Sequence, residues 1–161
     1  MSKPDLSLCM IVRNEARHLE RCLSSVQGMI SEILIADTGS EDESIEIARS
    51  FGARVISIPW ENDFAKARNR ILREASCSWI LVLDADEAAD HWNIEEINRL
   101  LATEETSGYF LPMIHYVDSS SEGGDYVTDA VYLGYPGSFH RPLHFTHPSL
   151  RICGQGASAQ K

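Results

Sequence analysis

Trp79-Ile80-Leu81-Val82-Leu83-Asp84-Ala85-Asp86-Glu87 is an apolar run that stops abruptly in three carboxylates. An apolar block of this length, bounded by charge, reads as a strand buried on both faces inside a parallel sheet. The carboxyl ends of such strands are where open α/β sheets bind ligands, so Asp84 and Asp86 are placed at a ligand-binding edge. Alternate side chains of a strand point the same way, which would aim the two acids together, and Ala85 between them leaves room. Paired carboxylate oxygens suit Mg²⁺ or Mn²⁺, cations that complete their shell with water and phosphate. The competing structural role is a cap on the helix expected to begin near Asn93.

The pattern extends outward from that strand. Leu6–Val12 is apolar and breaks into Arg13-Asn14-Glu15, after which Leu19, Cys22, Leu23 and Val26 recur at helical spacing. Glu32–Asp37 repeats the strand. Thr38-Gly39-Ser40 follows as a turn, with Ser40 and Glu43 in the capping-box pattern, so a helix is expected from Glu41 to Phe51. Its apolar positions are Ile45, Ile47, Ala48 and Phe51, and Gly52 supplies a left-handed stop. Arg54–Ile58 reads as a third strand, and Trp60–Ala75 contains a helix capped by Asp63. Strands alternating with helices predict an α/β protein: a three-layer α/β/α, Rossmann-like domain with a mainly parallel sheet. Asp37, Asp84, Asp86 and the Arg13–Glu15 loop then converge on one crevice, although Asp37 is equally suited to holding its own turn.

Beyond Glu87 the signals weaken. Asn93–Leu101 is an amphipathic helix with Ile94, Ile97 and Leu101 buried. Gly108–Val117 reads as a strand that Pro112 confines to an edge or a bulge. Tyr126–Tyr135 reads as one more strand, with little regular structure after it. The expected division is therefore a first domain over 1–117 and an incomplete, irregular and flexible region over 118–161. His140, His144 and His147 lie among prolines without a period and are not read as a metal site. Trp60, Trp79 and Trp92 read as core or pocket wall, and His91 and His115 as ordinary packed residues.

Composition narrows the classes. The chain has 161 residues, 43% apolar content and a net charge of −10. It is long enough to bury roughly 70% of its unfolded surface as one domain. The charge disfavours nucleic acid or an anionic membrane as main partner. The four cysteines lack Cys-x-x-Cys spacing and read as reduced thiols, and no run approaches the ~18 apolar residues of a membrane span. The expectation is a soluble, cytoplasmic protein, reaching the inner face of a membrane only through partners. A nucleotidyltransferase would need a glycine-rich loop after the first strand, and a receiver-type signalling domain would carry its acids after strands one and three.

Four segments together carry a family resemblance: Leu8-Cys-Met-Ile-Val-Arg-Asn-Glu15, Ile35-Ala-Asp-Thr-Gly-Ser40 with Asp42, Asp63-Phe64 with Ala67-Arg68-Asn69, and the opening stretch. Over residues 6–90 the chain resembles family 2 glycosyltransferases of the GT-A fold, in the bacterial branch often fused to TPR-like repeats. The resemblance implies transfer of a sugar from a nucleotide diphosphate sugar, a UDP-sugar first, to a glycan, lipid or protein acceptor, with Mg²⁺ or Mn²⁺ and inversion. It implies that Val12, Arg13, Asn14, Glu15 and Asp37 hold the base, that Arg68 approaches the nucleotide, that Asp84 and Ala85 lie by the ribose, and that Asp86, helped by Asp84, holds the metal. Inverting transfer also needs a general base, and residues 132–161 contain no Asp or Glu. The alternative reading is accordingly a truncated or inactive module that binds nucleotide sugar without turnover.

Overall fold

The computed structural model describes residues 3–90, 92–102, 108–116, 128–134 and 151–155. The first half matches the strand and helix periods. β1 (Leu6–Val12), β2 (Glu32–Asp37), β3 (Arg54–Ser57) and β4 (Trp79–Val82) alternate with α1 (Ala16–Val26), α2 (Ser44–Ser50) and α3 (Phe64–Leu72). These four strands lie side by side in the order β3-β2-β1-β4, and every pairing among them is parallel.

The continuous apolar strands divide their side chains between two cores. Leu6, Leu8, Met10 and Val12 of β1, Ile35 of β2, and Trp79 and Leu81 of β4 face one helical layer, where they meet Leu19, Cys22, Leu23 and Val26 of α1. The intervening Cys9, Leu34, Ala36 and Ile80 face the other layer, against Ala67, Ile71 and Leu72 of α3. The period of two along each strand sends consecutive residues to opposite faces, so a strand covered on both sides has to be apolar at every position. Ser7 is the exception, fully buried on the α3 side. Its hydroxyl donates to Glu32 Oε2 at 2.6 Å and accepts the Cys77 N–H at 3.3 Å, while the Ser76 N–H reaches the same Glu32 oxygen at 2.9 Å. Burial pushes the neighbouring Cys9 thiol up to about 12, so it stays a protonated packing group.

The helix ends show which local signals held. Asp63 accepts the Lys66 N–H at 2.9 Å and caps α3, and Gly52, at φ +78°, closes α2. The Ser40–Glu43 capping box does not form: α2 starts at Ser44 with no side-chain cap, because the Ser40 hydroxyl accepts the Asn14 N–H from a different loop.

The second half departs further from expectation. A short strand, β5 (Glu87–Asp90), follows the acidic turn directly, and α4 (Ile94–Leu101) comes next, capped by Asn93 rather than by Asp84 or Asp86. Three more strands follow, β6 (Gly108–Tyr116), β7 (Thr128–Gly134) and β8 (Arg151–Gln155). All join one eight-stranded sheet in the order β3-β2-β1-β4-β7-β6-β8-β5. β8 adds a strand after Tyr135, where little regular structure was expected, and described strands on both sides of 117/118 share this sheet. Pro112 is also not on an edge strand, since β6 lies between β7 and β8. The β8 ladder begins at Met113, however, so among the described strands Pro112 pairs with β7 alone. The sheet is parallel through β4 and mixed beyond it, with β4–β7, β6–β7 and β5–β8 antiparallel.

This order forces curvature. β4 and β5 are separated by four strand spacings, ~19 Å in a flat sheet. The five steps from Val82 to Glu87 span at most ~18 Å when fully extended, and they contain a turn in which the Glu87 N–H bonds back to the Asp84 carbonyl. The sheet must curl so that β5 returns over α1, where the Ala89 N–H meets Ser25 Oγ at 2.9 Å.

Ser7→Ala should destabilise the fold by about 1–3 kcal/mol, because it strips one buried acceptor and one buried donor at once. Thermal melting should show a fall of several degrees, and an unchanged midpoint would mean that water replaces the hydroxyl.

Candidate functional site

Strand register brings the loops together. Val12 pairs with Asp37, and Asp37 with Ser57, so β1, β2 and β3 end level. Just past that line the Thr38 N–H still reaches the Val12 carbonyl at 3.0 Å and the Ile58 N–H the Asp37 carbonyl at 2.8 Å, and the backbone donors beyond need other acceptors. The first N–H groups of α1 find them on the β2–α2 loop: Glu15 N–H donates to Ser44 Oγ at 2.8 Å and Ala16 N–H to Asp42 Oδ2 at 3.0 Å. In return Asn14 Oδ1 accepts the Glu41 N–H at 2.7 Å, with Asn14 itself held at φ +57°. The Ser44 hydroxyl, helped by backbone N–H groups, holds the Asp42 carboxyl below its ordinary range. Helix α1 is thus capped in trans.

Asp37 serves the same edge. It is 4% exposed, and its two oxygens accept the Gly39 N–H at 3.2 Å and the Ser40 N–H at 3.0 Å. The turn it organises carries Gly39 at φ +105°, a conformation that side chains beyond glycine rarely adopt.

The acidic motif is a turn rather than a strand end, since β4 stops at Val82. The alternation argument for Asp84 and Asp86 therefore does not apply, and the turn itself brings both to the crevice. Glu87 builds it: Oε2 accepts the Asp84 N–H at 2.8 Å, while the Glu87 N–H donates to the Asp84 carbonyl at 3.0 Å. Burial pushes the Glu87 carboxyl up to about 7; the Asp84 N–H opposes the rise, and the charges of Asp84 and Asp86 add to it. Helix α1 clamps the turn from behind. Arg21 Nη2 donates to the Asp86 carbonyl at 2.7 Å, and the Cys22 thiol faces the Asp84 carbonyl at 3.5 Å. Sequence reasoning missed Arg21 and Glu87, because a lone arginine on a helix carries no local mark of a partner 65 residues away.

A crevice of about 420 Å³ opens between these loops. Of the residues expected there, Arg13, Glu15, Arg68, Asp84, Ala85 and Asp86 line it; Val12, Asn14 and Asp37 do not. Thr38, Trp60 and Phe64 line it as well, and only Trp60 was anticipated as a wall residue. Arg68 reaches Asp84 at 3.3 Å. The Asp84 side chain still shows 57% of its surface to solvent, so this ion pair adds no more than about 1 kcal/mol. Enclosure by the crevice raises the Asp84 carboxyl, Arg68 pulls it back and Asp86 raises it again. Glu15 is raised for similar reasons, first by burial and then by Asp86. Among the described residues nothing donates a hydrogen bond to the Asp86 carboxylate, and no group of three or more His, Cys, Asp or Glu forms a ready metal cage. Two hard carboxylates and an excess of negative charge nonetheless fit a hexacoordinate cation whose remaining ligands are water and phosphate. The side chains of His91, His115, His140, His144 and His147 lie outside the described residues. No described helix is long and apolar enough to cross a membrane.

A parallel β3-β2-β1-β4 half-sheet with helices on both faces, an acidic turn after β4 and a crevice across the carboxyl edge define a GT-A type α/β domain. The chain belongs to glycosyl transferase family 2, whose family profile matches residues 7–158. Among curated relatives, a TPR repeat-containing protein of Synechococcus elongatus is 50% identical over 82 residues, 51% of this chain and 20% of that protein. The SPbeta prophage-derived glycosyltransferase SunS of Bacillus subtilis is 34% identical over 85 residues, 52% of this chain and 20% of SunS. The matched region is thus about a fifth of either relative's length. Among solved structures, residues 1–349 of S. aureus TarS in complex with UDP have a TM-score of 0.59 at 15% identity, over 73% of this chain and 38% of that fragment. Glucosyl-3-phosphoglycerate synthase from Mycobacterium tuberculosis, in complex with Mn²⁺, UDP and glucosyl-3-phosphoglycerate, has a TM-score of 0.56 at 18% identity, over 82% of this chain and 57% of the synthase.

Ser44 is fully buried and joins the two loops. Ser44→Ala should speed amide exchange at Glu15 and Ala16 well ahead of β1, with about 1–3 kcal/mol lost overall. Exchange that rises uniformly across the sheet would show that the loops are not held separately.

Proposed function

We propose that this chain carries the donor-binding part of a glycosyltransferase that takes a nucleotide diphosphate sugar, a UDP-sugar first, with Mg²⁺ or Mn²⁺, and transfers the sugar with inversion. The observation that carries the reading is the crevice itself: the Asp86 carboxylate, to which no described residue donates a hydrogen bond, stands beside the Asp84–Arg68 pair at the carboxyl edge of the sheet. Family membership and the UDP and Mn²⁺ named in the solved neighbours support it. Asp86, with Asp84 beside it, would hold the cation, which when bound supplies positive charge against the departing diphosphate. Arg68 adds a cation from the opposite wall and steers Asp84 toward the nucleotide. Arg21 and Glu87 keep the turn in one conformation, so that the carboxylates need not be reorganised when the donor arrives.

Calorimetric titration of UDP with and without Mn²⁺ tests this. Asp86→Ala should abolish the metal-dependent part of the affinity while leaving the melting temperature intact; an unchanged metal dependence removes Asp86 from the site. Asp37→Asn separates two roles. If Asp37 accepts the uracil imide, UDP weakens about tenfold and ADP does not. If it only holds the Gly39–Ser40 turn, as its buried and bonded carboxylate favours, both nucleotides weaken together.

A second reading, binding without turnover, is favoured by one observation: residues 132–161 contain no Asp or Glu to serve as the general base. General-base assistance is worth about 10²–10⁴ in rate. Slow donor hydrolysis without transfer would support this reading, and rapid transfer to an acceptor would dismiss it.

A further inference from the structure

The geometry points to a nucleobase-stacking wall formed by Trp60 and Phe64, an inference that rests on the proposed nucleotide-sugar site and adds to it the contact that grips the base. Phe64 is 67% exposed, and among the described residues no other large apolar side chain is that open. It is not left out of the core by accident of sequence. Helix α3 buries Ala67, Ile71 and Leu72 against the sheet, whereas Phe64 and Arg68, one helical turn apart, both line the crevice.

The ring is held in place before any ligand arrives. Trp60 meets Phe64 edge to face, with centroids 4.6 Å apart and planes at 70°. The indole is fixed in turn, its N–H donating to Asn62 Oδ1 at 3.0 Å, with Asn62 in the left-handed region at φ +56°. A backbone turn of that kind costs energy and here serves to aim the indole. The result is an aromatic face, fixed and solvent-exposed, on the wall of a polar crevice.

Strand order says which part of a nucleotide meets it. Along the carboxyl edge the loops run in the order β3, β2, β1, β4, which places Trp60 and Phe64 at one end and Asp84–Asp86 at the other. With the diphosphate at Asp86, the nucleoside extends away from β4 toward β3. Arg68 and Asp84 mark the ribose level, and Phe64, one helical turn nearer the start of α3 and ~5–6 Å from Arg68, stands on the same wall of the crevice. That is the position of the base. The buried Asp37 carboxylate leaves the same end of the crevice without another strong base contact from β2.

Stacking tolerates any base, because each has a π-face. Phe64→Ala should therefore weaken UDP and ADP alike, each by about tenfold or more, and leave the affinity for pyrophosphate with Mn²⁺ unchanged. Phe64→Trp should restore nucleotide binding. In NMR spectra of bound UDP, the upfield ring-current shift of the uracil H5 and H6 protons should vanish in Phe64→Ala. Equal affinity of wild type and Phe64→Ala for UDP overturns the proposal, as does a matching loss for pyrophosphate. A wild-type protein that binds pyrophosphate and Mn²⁺ but no nucleoside diphosphate overturns it as well, and leaves the metal site standing. A protein that binds neither defeats the underlying nucleotide-sugar reading.

Discussion

The structure depends on what happens to backbone donors where the parallel strands run out. β1 and β2 end at Val12 and Asp37, side by side, and the chain must turn there without a ladder. These donors lie at or near the surface, so each bond contributes about 0.5–1.5 kcal/mol, and several together matter to a domain of marginal stability. The solution is reciprocal: Ser44 and Asp42 cap the start of α1, Asn14 holds the Glu41 N–H, and Asp37 gathers Gly39 and Ser40. Neither loop keeps its shape without the other. Because those loops are also the walls of the crevice, the requirement that closes the fold is the one that builds the site.

Charge gives the crevice its chemistry. Glu15, Asp84 and Glu87 are all raised above their ordinary ranges, by enclosure first and by one another or Asp86 next. Arg13 and Arg68 are the cations on its wall, and Arg68 is already engaged with Asp84. An acidic crevice of this kind disfavours a bare anion, a bias that the charge of a divalent cation would offset. The chain's net charge of −10 adds to that bias. Glu87 is set apart from the others: it is 8% exposed and bonded to the Asp84 N–H, which makes it a brace inside the turn.

Helix α3 shows how one element joins stability to recognition. Its inner face, Ala67, Ile71 and Leu72, closes the second core over Cys9, Leu34 and Ile80. The crevice face presents Phe64 and Arg68. Packing against the sheet fixes the helix, and the helix in turn fixes an aromatic ring and a guanidinium at set places along the edge. TarS and glucosyl-3-phosphoglycerate synthase share the fold at 15% and 18% identity. Agreement in fold at that distance means that the pattern of burial carries the architecture, while individual side chains at the strand ends are free to differ.

By itself the sequence determined the local elements of the first half and the edge on which the candidate residues gather. β1 and β2 match their apolar runs residue for residue, the four buried positions of α1 are the four at helical spacing, and Asp63 caps α3 as its type and place predict. These features depend on neighbours within a turn or a strand, so their signals are written contiguously. Tertiary structure alone decided the rest. Ser40 and Glu43 carry a valid local capping signal, but Asn14, 26 residues away, recruits the Ser40 hydroxyl first. β5 is Glu-Ala-Ala-Asp and β8 is Arg-Ile-Cys-Gly-Gln, segments with too little strand preference to be read; β5 takes its ladder from β8, and β8 takes its own from β5 and β6. The clamp of Arg21 on Asp86 and the brace of Glu87 within the turn follow from how the sheet curls over α1. Contacts closed over such separations leave no periodic trace in the chain, because what selects them is the position of a partner in space.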